Sequence, residues 1–482
     1  MKRTAAIFVS VVMTIAFGTT ALADEITYYI NSADVTKDIE IGGEGNSNTY
    51  VITGTGAATS HRIIVNGATT TITLKNVNIV TVNESAIDIG DDADVELVVS
   101  GENNLTVTNL STEAGIHVSG GSLTISGTDA DDDILNVTNT NSQGATIGSN
   151  GTGVEDFTGT ITIDGGVTVN SGGYTFNSSY GGGVGIGAGM GGDMSGTITI
   201  NEGSVVIASS GDEGAGIGAG EYGDMSGTII INGGEVSATS YCDGAGIGAG
   251  DVGQMSGTII INGGDVTAYG SGYGAGIGIS NVGYYQAGDM TGTIEINGGT
   301  VTAYSRSGAA IGAGYNADSG DIIIHSNAVV NVSESKYYYE EERGMIGAFY
   351  ESTGTIYLYK GATINGITVE NVEDLKEAGI LNDNMEVELL EEETGETYSL
   401  GKLSIVSRIN TSKAGDTVYV YESELSKGKL PYYVLEALAK TDNVTLIVVS
   451  DSGETAEIKS SSIPEKGKNA FFTVEELLDM AK

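Results

Sequence analysis

Aspartate returns at one phase of a repeating pattern, as Asp156, Asp193, Asp224 and Asp289, each just before Phe157, Met194, Met225 or Met290. Gln254 takes the place in one further unit. Carboxylates repeated on neighbouring rungs repel one another unless a cation or turn amides compensate. Two readings therefore compete: a calcium site, because that ion takes such oxygens, and an Asx turn at each loop. Asp91-Asp92-Ala-Asp94 and Asp129–Asp133 are alternative oxygen clusters. None has the spacing of an EF-hand loop or of the calcium-binding nonapeptide.

Tyrosine forms a second set. Tyr269 and Tyr304 share one outward phase of adjacent units, and Tyr273, Tyr284, Tyr285, Tyr315 and Tyr337–Tyr339 crowd the same end. A flat ring with a hydroxyl handle suits a hexose, so Tyr269, Tyr304, Tyr273 and Tyr315 are candidate glycan contacts. Tyr is also simply a good outward strand residue. There is no Trp to serve as a stacking platform.

Catalysis has less to work with. A uronate lyase needs an Arg or Lys base and a cation to neutralise the substrate carboxylate. No Lys, Arg or His occurs between Val118 and Ser305, and Arg62, Lys75, Arg306, Lys336, Arg343 and Lys360 stand isolated near the ends of that stretch. A hydrolase needs two carboxylates at a defined separation, and acids here are too plentiful to single out a pair. Cys242 is the sole cysteine, which excludes an internal disulfide and a cysteine-based zinc site. It is expected to be a solvent-facing or half-buried thiol.

The elements that position these residues repeat. Gly-Ala-Gly-Ile-Gly-Ala-Gly occurs at 214–220 and again at 244–250, and its Ile recurs at Ile147, Ile186, Ile217, Ile247, Ile277, Ile311 and Ile346. Weaker echoes stand at Ile64, Ile87 and Ile116. A period of about 30 residues marks a solenoid, whose units bury their apolar faces only against neighbours. From Gly144 to Val369 each unit reads as three short strands. In the second strand Ile161/Ile163, Ile198/Ile200, Ile229/Ile231, Ile259/Ile261 and Ile294/Ile296 stay apolar, while Thr162, Thr199, Ile230, Ile260 and Glu295 between them vary. Alternation with period two puts the constant pair inside and the variable residue in water. Val236/Ala238, Val266/Ala268 and Val301/Ala303 point inward in the third strand. Ala215, Ile217 and Ala219 share one face of the first.

Asn201, Asn232, Asn262 and Asn297 occupy one corner position. Rungs about 4.8 Å apart would let their amides bond up the stack as a ladder. Three strands per unit argue for a parallel β-helix, right-handed by the usual crossover preference. A propeller needs four antiparallel strands and a longer blade. The expected fold is thus all-β: a right-handed parallel β-helix of about ten coils, with a small C-terminal α+β module. Abundant Gly (75) with almost no Pro (2) fits tight corners between strands that keep their N–H donors.

Residues 1–23 carry Lys2 and Arg3, an apolar run from Ala5 to Phe17, and Ala21-Leu22-Ala23. These are the three regions of a secretory signal peptide. Residues 24–60 are expected to cap the solenoid, 61–369 to form its coils, and 370–482 to form the α+β module. Within the module, helices are expected at Val372–Ala378, Pro431–Lys440 and Thr473–Ala481, and strands at Met385–Leu390, Tyr398–Val406, Val444–Val449 and Glu454–Ile458. The net charge of −43 excludes a nucleic-acid partner, which needs cations against its phosphates. No stretch after the leader is long and apolar enough to insert in a membrane. A monomer is expected.

Thr70-Thr-Thr-Ile-Thr-Leu-Lys-Asn-Val-Asn-Ile79, Asp94-Val-Glu-Leu-Val-Val-Ser-Gly-Glu-Asn-Asn-Leu105 and the Gly-Ala-Gly-Ile-Gly-Ala-Gly units resemble a family of bacterial extracellular carbohydrate-binding-domain proteins. That family is common in Gram-positive anaerobes, and its characterised members are right-handed β-helices similar to pectate lyases. The resemblance spans about Ala58 to Ala303. The stretch from Leu430 to Val449 is similar to a small module of clostridial surface proteins. The resemblance implies secreted or cell-surface glycan binding, assisted by Ca²⁺. The sequence reading is a non-enzymatic protein that binds polysaccharide or cell-surface glycan. The alternatives are a structural adhesin or spacer, and a polysaccharide lyase acting on uronate polymers.

Overall fold

Period-two alternation in short segments with glycine corners leaves each coil one way to bury its Ile and Val side chains, namely against the coils above and below. The computed structural model describes residues 25–32, 35–108, 112–140, 143–151, 155–174, 182–280, 289–314, 317–334, 345–348, 354–381, 385–390, 409, 417–421, 429–439, 441, 443–450, 454–461, 463, 471–474 and 477–478. It is a right-handed parallel β-helix with a small C-terminal α+β module. The expected leader, the strand at 398–406, Tyr284, Tyr285, Tyr315, Tyr337–Tyr339, Lys336 and Arg343 lie outside the described residues.

Each coil visits three sheets in turn. The first holds two- and three-residue strands such as Ile116–Val118, Ile186–Gly187 and Ile217–Gly218. The second holds Thr160–Ile163, Thr197–Ile200, Thr228–Ile231 and their successors. The third is eleven-stranded, running from Asn78–Val82 to Ile367–Thr368, parallel throughout except for its last pair. In the second sheet the strands from Thr197 to Ile296 pair with no register shift, so Ile198, Ile229, Ile259 and Ile294 stack directly. These and their inward partners are fully buried. Each such side chain contributes roughly 1.5–3 kcal/mol relative to exposure.

A fourth line of contact closes each coil. Phe157, Met194, Met225, Met255 and Met290 form a column of parallel bridges, all inside the core. At the corner after the second strand the amide ladder is present. Nδ2 of Asn232, Asn262 and Asn297 each donates to Oδ1 of the Asn one coil back at 2.8 Å. Asn201 begins the run on Asp164.

The first strand departs from simple alternation. Ala215 N donates to Ala219 O, which bends the Gly-Ala-Gly-Ile-Gly-Ala-Gly segment around Ile217. Ala215 therefore packs with Ala145 and Val184 in a satellite cluster, while Ile217 and Ala219 join the main core. The bend passes through Gly248 at φ +136°, and Gly218 and Gly278 do likewise. L-residues rarely adopt that conformation, and a Cβ on Gly248 would overlap the carbonyl oxygen of Gly278.

At the N-terminal end, Glu25–Tyr29 and Thr49–Thr53 add parallel rungs to the second sheet, and Ile39–Asn46 adds one to the first. At the other end Val369, Leu375, Ile380, Leu381 and Met385 belong to the same core as the coils. The helix Glu373–Glu377 thus covers the last coil, and Gly379 ends it at φ +69°. Glu386–Leu390 is a further parallel rung on Thr355–Tyr359.

The separate module contains the helix Tyr432–Ala439 and two sheets. In one, Thr445–Val449 lies between Thr417–Tyr421 and Thr455–Lys459; the other pairs Lys429–Pro431 with Phe471–Thr473. Its core reaches the solenoid. Ile230 and Ile260, expected in water, are buried in one cluster with Val418, Leu430, Val434 and Leu446 of the module. The alternation was right about direction, since both side chains leave the interior of the coil. A distant segment covers them, which strand periodicity cannot reveal.

Candidate functional site

Tyr269 and Tyr304 end the outward rows of two third-sheet strands, Asp265–Gly270 and Thr300–Ser305, which pair in register. Parallel pairing places identical side chains one rung apart, so the rings stack with centroids 4.6 Å apart and planes 8° from parallel. Burial, followed by the neighbouring Tyr304, raises the Tyr269 hydroxyl above its ordinary pKa. Tyr273 lies exposed in the corner that follows, and its backbone N–H donates to Oδ1 of Asp243 at 3.1 Å. Three of the four tyrosines singled out by spacing thus sit on one stretch of surface; Tyr315 lies outside the described residues.

That surface borders an acidic corner which repeat comparison did not single out. It gathers Asp212, Glu213, Glu221, Cys242, Asp243 and Asp251 from consecutive units. Asp251 N donates to Glu213 O at 2.8 Å, and Ser280 Oγ donates to Asp251 Oδ1 at 3.2 Å. Burial, with a hydrogen bond to Glu221 and its charge, pushes Glu213 up to about 7. Burial and the charges of Asp243 and Glu213 push Asp251 up to about 7 as well. The Cys242 thiol is raised to about 12, first by burial and then by Asp243 and Asp212. Such a thiol is a poor nucleophile at neutral pH. Arg306 is the cation whose field reaches both Asp243 and Tyr269.

Asp212, Glu213 and Cys242 bring one donor atom each within 4.8 Å of one another. Two carboxylates suit a hard cation, whereas a thiol in the set suits a softer one. The donors therefore fit calcium only through their oxygens.

The aspartate column has a different geometry. Oδ1 of Asp156 accepts from Asp193 N at 3.0 Å, Oδ1 of Asp193 from Asp224 N at 2.9 Å, and Oδ1 of Asp224 from Gln254 N at 2.9 Å. Asp289 is exposed at the same phase, and its carbonyl accepts from Met255 N. Each of these bonds ties one coil to the next, so the carboxylates are met by backbone amides of the neighbouring coil rather than by the local bond of an Asx turn. The alternative clusters act alike: Asp91 accepts from Gly120 N and Ser119 Oγ, and Asp133 from the N–H groups of Gly101, Thr128 and Asp129.

Arg62 is not isolated. Its Nη2 lies 3.1 Å from Asp88 Oδ2. Asp88 Oδ1 in turn lies 2.7 Å from His117 Nδ1, and His117 Nε2 lies 3.1 Å from Glu155 Oε1. Asp88 and His117 pair in register on the outer face of the first sheet, where later coils carry Gly148 and Gly187, and Arg62 and Glu155 reach them from the coils on either side. Both imidazole nitrogens are engaged by carboxylates.

Among models of protein families, the beta helix repeat matches residues 198–221, 229–251, 259–278 and 294–315. No curated protein and no solved structure matches the chain.

Proposed function

We propose that the protein is an exported, non-catalytic β-helix that binds a polysaccharide or cell-surface glycan on the face formed by Tyr269, Tyr304 and Tyr273. The observation that carries this reading is the parallel pair of rings in register on an exposed sheet, beside hydrogen-bonding carboxylates. A sugar ring stacks on such a face, and its hydroxyls reach the acidic corner. The acidity favours neutral or amino sugars. A uronate would need a bridging cation held by the oxygens of Asp212, Glu213 and their neighbours.

The spacer reading draws support from the aspartate and asparagine columns, whose polar atoms serve coil-to-coil bonding. The lyase reading is weakened by Arg62, a basic side chain beside carboxylates, being bound to Asp88 and to Ser85 O. A glycan array probed with and without EDTA separates these readings. Binding to neutral or amino glycans that survives chelation supports the tyrosine face, and binding to uronates lost on chelation supports a cation bridge. No binding to any glycan favours the spacer, and an unsaturated product absorbing in the ultraviolet on pectin would establish the lyase.

A further inference from the structure

The outward position in the middle of the second-sheet strands is occupied, coil by coil, by Thr162, Thr199, Ile230, Ile260, Glu295 and Ile323. Threonine is the ordinary choice there, since it favours strands and tolerates water. Two consecutive isoleucines on that face are apolar surface the solenoid itself has no means to cover. In the structure they are 4% and 0% exposed. Their cluster is separate from the core of the coils and consists otherwise of C-terminal residues, among them Val418, Val420, Leu435 and Leu438.

We infer that the outer face of the second sheet at Ile230 and Ile260 is a docking site for this chain's own C-terminal module, and that these two side chains hold the module there. The chain leaves the last rung of the second sheet at Leu390, beyond the coils that carry Glu295, Ile323 and Tyr357. To reach Ile260 and Ile230 the module folds back along the outside of that sheet. Beside Ile260, Glu295 is nearly buried and lies 3.3 Å from His325 Nε2, with His325 stacked on Tyr359, so a paired polar group borders the apolar contact. This is the anatomy of a small protein interface, an apolar centre with a polar rim.

Two properties follow. The contact can be removed without touching the interior of the solenoid, because Thr at these positions reproduces the coils of Thr162 and Thr199. The docked module also lies on the second sheet, whereas Tyr269 and Tyr304 are on the third. Docking and glycan binding are therefore independent, and failure of one leaves the other standing.

The test uses the full chain carrying Ile230→Thr and Ile260→Thr together. The expected result is an unchanged melting transition of the solenoid, a larger radius of gyration by small-angle X-ray scattering, and release of the C-terminal fragment by trypsin about tenfold faster. Ile230→Val with Ile260→Val keeps an apolar contact and is expected to scatter like the parent. An unchanged radius in the Thr variant overturns the inference. So does a lowered solenoid melting temperature in that variant, or expansion of the Val variant to the same extent.

Discussion

Nδ1 of His117 lies 2.7 Å from Oδ1 of Asp88, and the opposite nitrogen of the same ring reaches Glu155, so one imidazole ties three successive coils together. Burial alone would push His117 down. The hydrogen bonds to Asp88 and Glu155, with their charges, instead hold it up at about 9. A group whose folded pKa is raised adds stability that is fully present below its unfolded value, near 6.5, and is lost as pH rises through the folded value. Thermal denaturation should therefore show the protein weakening between about pH 6.5 and pH 9, by up to about 3 kcal/mol. His117→Gln should flatten that slope. An equal slope in both proteins would place the effect elsewhere.

The acidic corner has the same sign for a different reason. Glu213 is raised to about 7 by burial and by Glu221, so its contribution is present below about pH 4.5 and is lost as pH rises through 7. Glu213→Gln removes the charge that is unwelcome at alkaline pH. We expect it to raise stability by about 1 kcal/mol at pH 8 and to change nothing at pH 5. Melting curves at the two pH values check this, and stabilisation of equal size at both would contradict it.

The bend at Gly248 admits no side chain. Gly248→Ala combines a φ of +136° with overlap on Gly278 O, so the loss should be about 3 kcal/mol or more. Gly233→Ala is the comparison: Gly233 has ordinary φ, and a Cβ there would meet Glu202 at 3.0 Å. It should cost less. Chemical denaturation of the two variants side by side gives the difference, and equal losses would refute the bend as the cause.

Much of the solenoid is legible before any coordinates, and particular residues show why. Ile217, Ile247 and Ile277 repeat at one phase, and so do Asn232, Asn262 and Asn297. Stacking turns equal phase into contact, so these columns follow from the sequence. Tyr269 and Tyr304 were legible on the same ground. The acidic corner was not, because it joins two different phases, Glu213 with Asp243 just before the glycine motif and Glu221 with Asp251 just after it, which meet only where a turn folds over. The network of Arg62, Asp88, His117 and Glu155 escaped for a similar reason: its coils are the irregular ones, and four residue types share its columns. The burial of Ile230 and Ile260 depends on a segment far away in the chain, and no local periodicity carries that information.

The most direct test of the account is the affinity of a glycan-array hit for the parent protein and for Tyr269→Ala with Tyr304→Ala, titrated calorimetrically with melting temperatures recorded in parallel. Losing a stacked ring face costs about 1.4 kcal/mol, which is a tenfold change in affinity. The account predicts binding at least about tenfold weaker at an unchanged melting temperature. Undiminished affinity in the double variant would contradict it.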